Sequence, residues 1–338
     1  MPRNTVTLTL AAMILMGALP GARAQEDPAS PKLKIAFIAK SYANPVFVAA
    51  HRGAQDAARE WSDKKGIPVE VLILTPTGEN PAQQAERIGM AVEDGADAIA
   101  VAASEAAPVS KAIDDAVAKG VAVMTFDVDL PGSKRFAHFG ADDTQAGEMI
   151  LEELSQLLGG SGKVAVLAGN PDAPNLQRRV AGVKAAALRH PGLEIVGVFH
   201  HLERPIDGAA EVLRVNEAYP DLQGWAMVGG WPMFESARRK DVLKDLQTRG
   251  QKVVSVDALP DQLRFVDVGV AVLLGQPVYE WGTVTVDTIV EKLHNEKDIS
   301  GTIPMDLVRV SIENLEVWAS QLRDWGFRRV NEEYLPAE

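Results

Sequence analysis
The chain has 338 residues, 46% of them hydrophobic, and its 34 Lys and Arg against 46 Asp and Glu leave a net charge of −12. That length fits two domains of ordinary size, each able to bury a core. The negative balance excludes a nucleic-acid partner, which needs a basic face for its phosphates. The absence of cysteine excludes disulfides, thiol catalysis and Cys-ligated zinc or iron–sulfur centres.

The N-terminus reads as an export signal. Arg3 gives a positive start, Val6 to Leu19 (VTLTLAAMILMGAL) an apolar core, and Ala22 to Ala24 a small-x-small cleavage site. Cleavage after Ala24 is expected. The apolar core is shorter than the ~20 residues a spanning helix needs. No Cys follows it, so a lipid anchor is also unexpected. The expected product is a soluble protein of the periplasm, folding without oxidation.

From Leu33 onward, apolar runs alternate with amphipathic ones. LKIAFIA (33–39), VEVLIL (69–74), ADAIAVAA and VAVMTF (121–126) read as strands. Between them lie helices: one from Pro45 closed by Gly66, one capped by Asn80 with Pro81 in its first turn, and one over APVSKAIDDAVAKG. The strands are apolar throughout rather than alternating, which predicts parallel sheets covered on both faces. After a short strand RFAHFG and a helix DDTQAGEMILEELSQLLGG, the pattern starts again. Strands are expected at GKVAVLAG (162–169), EIVGVF, GWAMVG and KVVSVDA (252–258). Helices are expected over 176–190, near GAAEVLRVNEAYP, and up to Gly250. The fold class is α/β, with two doubly wound parallel-sheet lobes.

In doubly wound sheets, ligands sit at the carboxyl ends of the strands. The residues just past those ends are Tyr42, Asn44 and Phe47, then Asp127 and Asp129, in the first half. In the second they are Asn170, Asp172 and Asn175 with Arg179, then Trp231 and Asp257. Carboxylates, amides, a guanidinium and aromatic rings together suit a sugar: acceptors for adjacent hydroxyls, a forked donor, and faces for C–H groups. Asp127 and Asp257 directly follow apolar strands and are assigned to the cleft. Asp129, two residues before Pro131, suits a turn as well as a ligand. Phe47 suits core packing as well as ligand contact. Trp231, in the loop-like GGWP, is assigned to the cleft. One of Arg178 and Arg179 is expected to be a solvated helix charge.

From about Lys34 to about Trp318 the chain resembles the ribose-binding-protein-like type I periplasmic solute-binding proteins, the receptors of sugar ABC transporters. ANPVF (43–47) is similar to the family's Asn-Pro-aromatic-aromatic turn, with Val46 in place of one ring. MTFDVDL is similar to the strand end whose Asp binds ligand hydroxyls, with Val128 where Arg is frequent. The resemblance implies ligand roles for Asp127, for Arg179 in NLQRRVAGVKAA, for Asp257 in VVSVDALP and for Gln276 in GQPVYEWG. After GWAMV the family usually has Asn-Asp; Gly229, Gly230 and Trp231 stand there instead, which reshapes the pocket.

The resemblance also implies three crossings between lobes, near Ala141, Gln276 and Pro304. The first lobe would be 33–141 plus 277–303 and the second 142–276 plus 304–325, ending in a trailing helix. The expected activity is ligand-driven hinge closure on a sugar or sugar alcohol and delivery to an ABC permease, by a monomer needing no cofactor. Two rival functions remain, a hydrolase and a sensor of the same fold. A hydrolase could use a pair of the Asp residues, although GxSxG, HExxH and P-loop motifs are absent. A sensor could report the same closure to a membrane kinase or chemoreceptor. No DxDxDG-like run supports calcium. His200 and His201 are adjacent on a strand, point to opposite faces and are expected to be structural or solvated.

Overall fold
A computed structural model of the chain describes Met1 and residues 32–234 and 236–336. The expected export signal lies outside the described residues. Among the described residues, no helix is long and apolar enough to cross a membrane.

The first series runs β1 (Leu33–Ile38), α1 (Val46–Lys65), β2 (Val69–Ile73), α2 (Pro81–Glu93), β3 (Ala98–Val101), α3 (Ala106–Ala118), β4 (Ala122–Phe126) and β5 (Ala137–Gly140). The second runs α4 (Asp143–Leu157), β6 (Gly162–Ala168), α5 (Pro174–Ala187), β7 (Leu193–His200), α6 (Pro205–Ala218), β8 (Gly224–Met227), α7 (Arg239–Arg249), β9 (Lys252–Val256), α8 (Leu263–Asp267) and β10 (Ala271–Gly275). The chain then adds α9 (Glu280–Leu293), β11 (Gly301–Pro304), β12 (Val308–Val310) and α10 (Leu315–Asp324).

Two six-stranded sheets result, ordered β2-β1-β3-β4-β5-β11 and β7-β6-β8-β9-β10-β12. Both follow one topology. The first sheet is parallel throughout, while β12 enters the second antiparallel to β10. The α/β expectation with two doubly wound lobes is met. In this 2-1-3-4-5 order the crevice at the strand ends opens beside the first strand of each sheet, where the order reverses.

Local sequence explains the elements. Strand residues such as Ile35 to Ile38 and Val164 to Leu167 are fully buried, as runs apolar on both faces require. Asn80 caps α2, its Oδ1 accepting from the Gln83 N–H at 3.0 Å, with Pro81 supplying a helical φ. Asp142 caps α4 in the same way. Gly66 ends α1 at φ 71°, a conformation most side chains avoid. Two helix pairs meet through glycine. Gly53 of α1 lies on the Tyr279 carbonyl with Gly282 of α9 against Ala50, and Gly147 of α4 and Gly182 of α5 lie on the Arg179 and Thr144 carbonyls; a Cβ at any of the four would overlap backbone.

Candidate functional site
The site is built from loops that leave the two sheets at their carboxyl ends. One cavity of about 50 Å³ is lined from the first sheet's side by Lys40, Asn44, Val46, Phe47, Asp127 and Trp281. Asn175, Leu176, Arg179, Glu203, Gly229, Trp231, Phe234, Asp257 and Gln276 line it from the other. Eight of the twelve residues singled out from sequence are among them.

Asp127 and Asp257 occupy equivalent places, each the first residue after the fourth strand of its series. Both have a left-handed backbone, φ 58° and 70°. Each closes its N–H onto the neighbouring strand, Asp127 on the Phe139 carbonyl and Asp257 on that of Leu274, both at 3.0 Å. The chain thus turns off the strand at that point and leaves the carboxyl at the cleft. Burial pushes the Asp127 carboxyl up to about 7; Lys40 and Arg179 act against burial, and Asp143 and Asp257 act with it. Burial also raises Asp257, against Arg179, a bond from Gln276 and the Gly230 N–H. Gln276 Nε2 donates to Asp257 Oδ1 at 2.7 Å, so its amide is already oriented.

Arg179 is 4% exposed and held on two sides, which sets its direction. Its Nε donates to Asp143 Oδ1 at 2.9 Å and its Nη1 to the Val228 carbonyl at 3.1 Å. Burial alone would lower its pKa; the charges of Asp143, Asp257 and Asp127 outweigh that and raise it. Arg178 reaches the other oxygen of Asp143 at 2.8 Å with a side chain 38% exposed, and so is the more solvated of the pair. Lys40 is buried 3.5 Å from Glu79. Burial opposes its charge, but Glu79, Glu203 and Asp127 prevail and raise its pKa.

Rings shape the remaining walls. Phe47 and Trp281 lie 5.8 Å apart, with Phe126 behind Trp281 at 6.4 Å. On the other side, the Trp231 ring fills the space above Gly169 and Gly229, where a Cβ would strike it. The edge of His201 meets Trp231 at 4.8 Å. His200 ends β7, with Nδ1 3.0 Å from the Gly169 carbonyl. A wider recess of about 460 Å³, lined by Glu79, Asn170, Pro171, His200, His201, Leu202 and Glu203, lies beside the cavity and shares Glu203 with it.

Four expected residues are elsewhere. Asp129 is turned back on its own loop. Its carboxylate accepts from Arg135 Nε at 2.5 Å and Nη2 at 2.8 Å, and from Thr125 Oγ1 at 3.3 Å. Burial would raise its pKa, but Arg135 holds it below the usual carboxylate range. The turn reading of Asp129 fits this placement, and the cleft reading does not. Tyr42 is 52% exposed, its ring 4.7 Å from that of His51, outside the cavity. Asn170 and Asp172 close a surface turn, with the Asp172 N–H on Asn170 Oδ1 at 3.0 Å.

Sequence reasoning missed Lys40, Glu203, Phe234 and Trp281 as lining residues, and Asp143 as the anchor of Arg179. Lys40 carried a readable signal, a charge next to an apolar strand as at Asp127. Nothing local marked Trp281, which stands in an amphipathic helix. Among the described residues, no group of three or more His, Asp or Glu could hold a metal ion.

The family model of the periplasmic binding protein domain matches residues 35–297. Among curated proteins, the ribose import binding protein of Bacillus subtilis is 28% identical over 139 residues, 41% of this chain and 43% of that protein. The match therefore spans less than half of that relative's length. A xylitol-binding protein of Mycolicibacterium smegmatis is 21% identical over 260 residues, 72% of this chain and 71% of that protein. Among solved structures, an ABC transporter solute-binding protein of Burkholderia graminis in complex with D-arabinose is 26% identical, with a TM-score of 0.73 over 83% of this chain and 96% of its own. With most of its length matched by that family model, the chain belongs to the periplasmic binding protein domain family, whose members are solute-binding proteins rather than enzymes.

Proposed function
We propose that the protein binds a small polyhydroxylated solute, a sugar or sugar alcohol, between its two lobes and delivers it to an ABC transporter permease. One observation carries the reading. Strand-end residues from both sheets converge on a single cavity holding three carboxylates, a fixed guanidinium, three amides and four aromatic side chains. Hydroxyls donate to Asp127 and Asp257 and accept from Arg179 and Gln276, while the rings of Phe47, Trp231 and Trp281 cover C–H faces. Asn44, Asn175 and Lys40 complete the set. The names of the ribose, xylitol and D-arabinose proteins support this solute class.

The lobes would be residues 33–141 plus 277–303 and 142–276 plus 304–325, joined at three crossings. Only the closed form makes both sets of contacts, so the solute favours closure and the permease reads the closed surface. Binding uses the acids as acceptors, with no chemistry on the solute. The protein would act as a periplasmic monomer after loss of residues 1–24.

The test is a thermal-shift screen of residues 25–338, followed by calorimetry, against pentoses, hexoses, deoxysugars and sugar alcohols, with purines and amine oxides as controls. A solute at a hundredfold excess over its Kd adds about 2.7 kcal/mol. One sugar or polyol should therefore raise Tm by several degrees. A rise confined to the controls would refute the carbohydrate reading.

A further inference from the structure
Four of the chain's indoles are 5% exposed or less, and three of them have a hydrogen-bond partner. Trp61 Nε1 donates to Asp287 at 2.6 Å, Trp225 Nε1 to Asn216 at 3.0 Å, and Trp318 Nε1 to the Ala258 carbonyl at 2.7 Å. Trp281 is 1% exposed, and its Nε1 has no partner among the described residues. It is also the only one of these four that lines the cavity. A buried donor left unpaired is destabilising, because it has given up water without gaining a partner. Packing against Phe47 and Phe126 does not account for an indole here, because phenylalanine would fill the same role without a donor to satisfy.

A second orphan stands across the cavity. Asn175, 6% exposed on α5, has an Oδ1 with no partner. One side of the cleft thus carries an unused donor on α9, and the other an unused acceptor on α5. A solute that offers an acceptor to the first and a hydroxyl proton to the second satisfies both, and does so only when both lobes close on it.

The geometry points to Trp281 as a specificity-determining residue, its indole N–H donating to one hydroxyl oxygen of the solute while Asn175 Oδ1 accepts from another. This rests on the carbohydrate reading above. It further requires that the solute carry an oxygen at one defined position, since a site built to bond a hydroxyl strongly rejects the analogue lacking it.

The experiment is calorimetry of the wild type and Trp281→Phe with D-ribose, D-arabinose, D-xylose and xylitol, each with its monodeoxy analogues. Trp281→Phe should weaken the bound probe about tenfold or more, as expected for a lost buried hydrogen bond. That loss should vanish for one monodeoxy analogue and persist for the others, with Tm unchanged or raised. Equal losses on every analogue, or no loss, would overturn the inference while leaving sugar binding intact. Wild type that binds no sugar or polyol of the wider thermal-shift screen, these four included, overturns the carbohydrate reading and this inference with it. Should Trp281→Phe misfold, the indole proton of Trp281 in 15N-labelled wild type provides the second readout. It should shift downfield on saturation with the bound probe, and a resonance that does not move overturns the assignment.

Discussion

Three described non-glycine residues have positive φ, and two of them are Asp127 and Asp257. Left-handed backbone at a non-glycine residue costs of order 1 kcal/mol and persists where the surroundings fix it. Here the strand-to-strand N–H bonds fix it, and the result is a carboxyl at the cleft in each half. Asp127 titrates near 7 because burial disfavours its charge. Its folded pKa lies above the ordinary 3.8, so its contribution to the stability of the ligand-free protein is present below about pH 4 and lost as pH rises to about 7. Binding runs the other way, because hydroxyl donors favour the ionised carboxylate. Affinity for the solute should fall ~10-fold between pH 7.5 and pH 6, as protonation removes the acceptor. Asp127→Asn tolerates left-handed backbone but lacks the charge. It should bind weakly at every pH with a flat profile, and calorimetry across the range checks this. A wild-type profile as flat as the variant's would refute the role given to the charge.

At the scale of the element, the crossing of α4 and α5 places Arg179. Gly147 and Gly182 let the two backbones touch, and the Asp143–Arg179 bond spans the same crossing. A methyl at Gly147 would lie on the Arg179 carbonyl itself, so the helices must separate. Gly147→Ala should lower stability by about 1–3 kcal/mol, the usual effect of overpacking, and weaken solute binding as well. Gly78, with open space around its Cβ position, is the control: Gly78→Ala should leave binding unchanged. Denaturant melts and calorimetry on the two variants separate the effects. Loss of stability in Gly147→Ala without loss of affinity would show that Arg179 is not placed by this crossing.

For the whole molecule, the chain returns to the first sheet through α9 and β11 and to the second through β12 and α10. Lobes joined by such strands can rotate, and contacts from both lobes to one solute make closure the liganded state. Small-angle scattering of residues 25–338 should show a smaller radius of gyration with the solute bound than without it. The shift should be smaller in Trp281→Phe, which lacks one of the contacts from the first lobe. Identical scattering with and without a bound solute would refute hinge closure as the response.

The sequence by itself determined the α/β class and the repeated βα order. Buried parallel strands must be apolar on both faces, and caps such as Asn80 and Gly66 act within a few residues. It also marked Asp127, Asp257, Arg179 and Gln276, through position after a strand or through motif. Only the tertiary structure decided which polar groups face the cavity. Asp129, two residues from Asp127, is taken by Arg135, and Asp143 on one helix anchors Arg179 on another. Trp281 reaches the site from a helix some 150 residues along the chain from Asp127, a number set by the return crossing. Local pattern records what a residue does to its own strand or helix. Pairing between distant side chains depends on distances that exist only once the lobes are assembled.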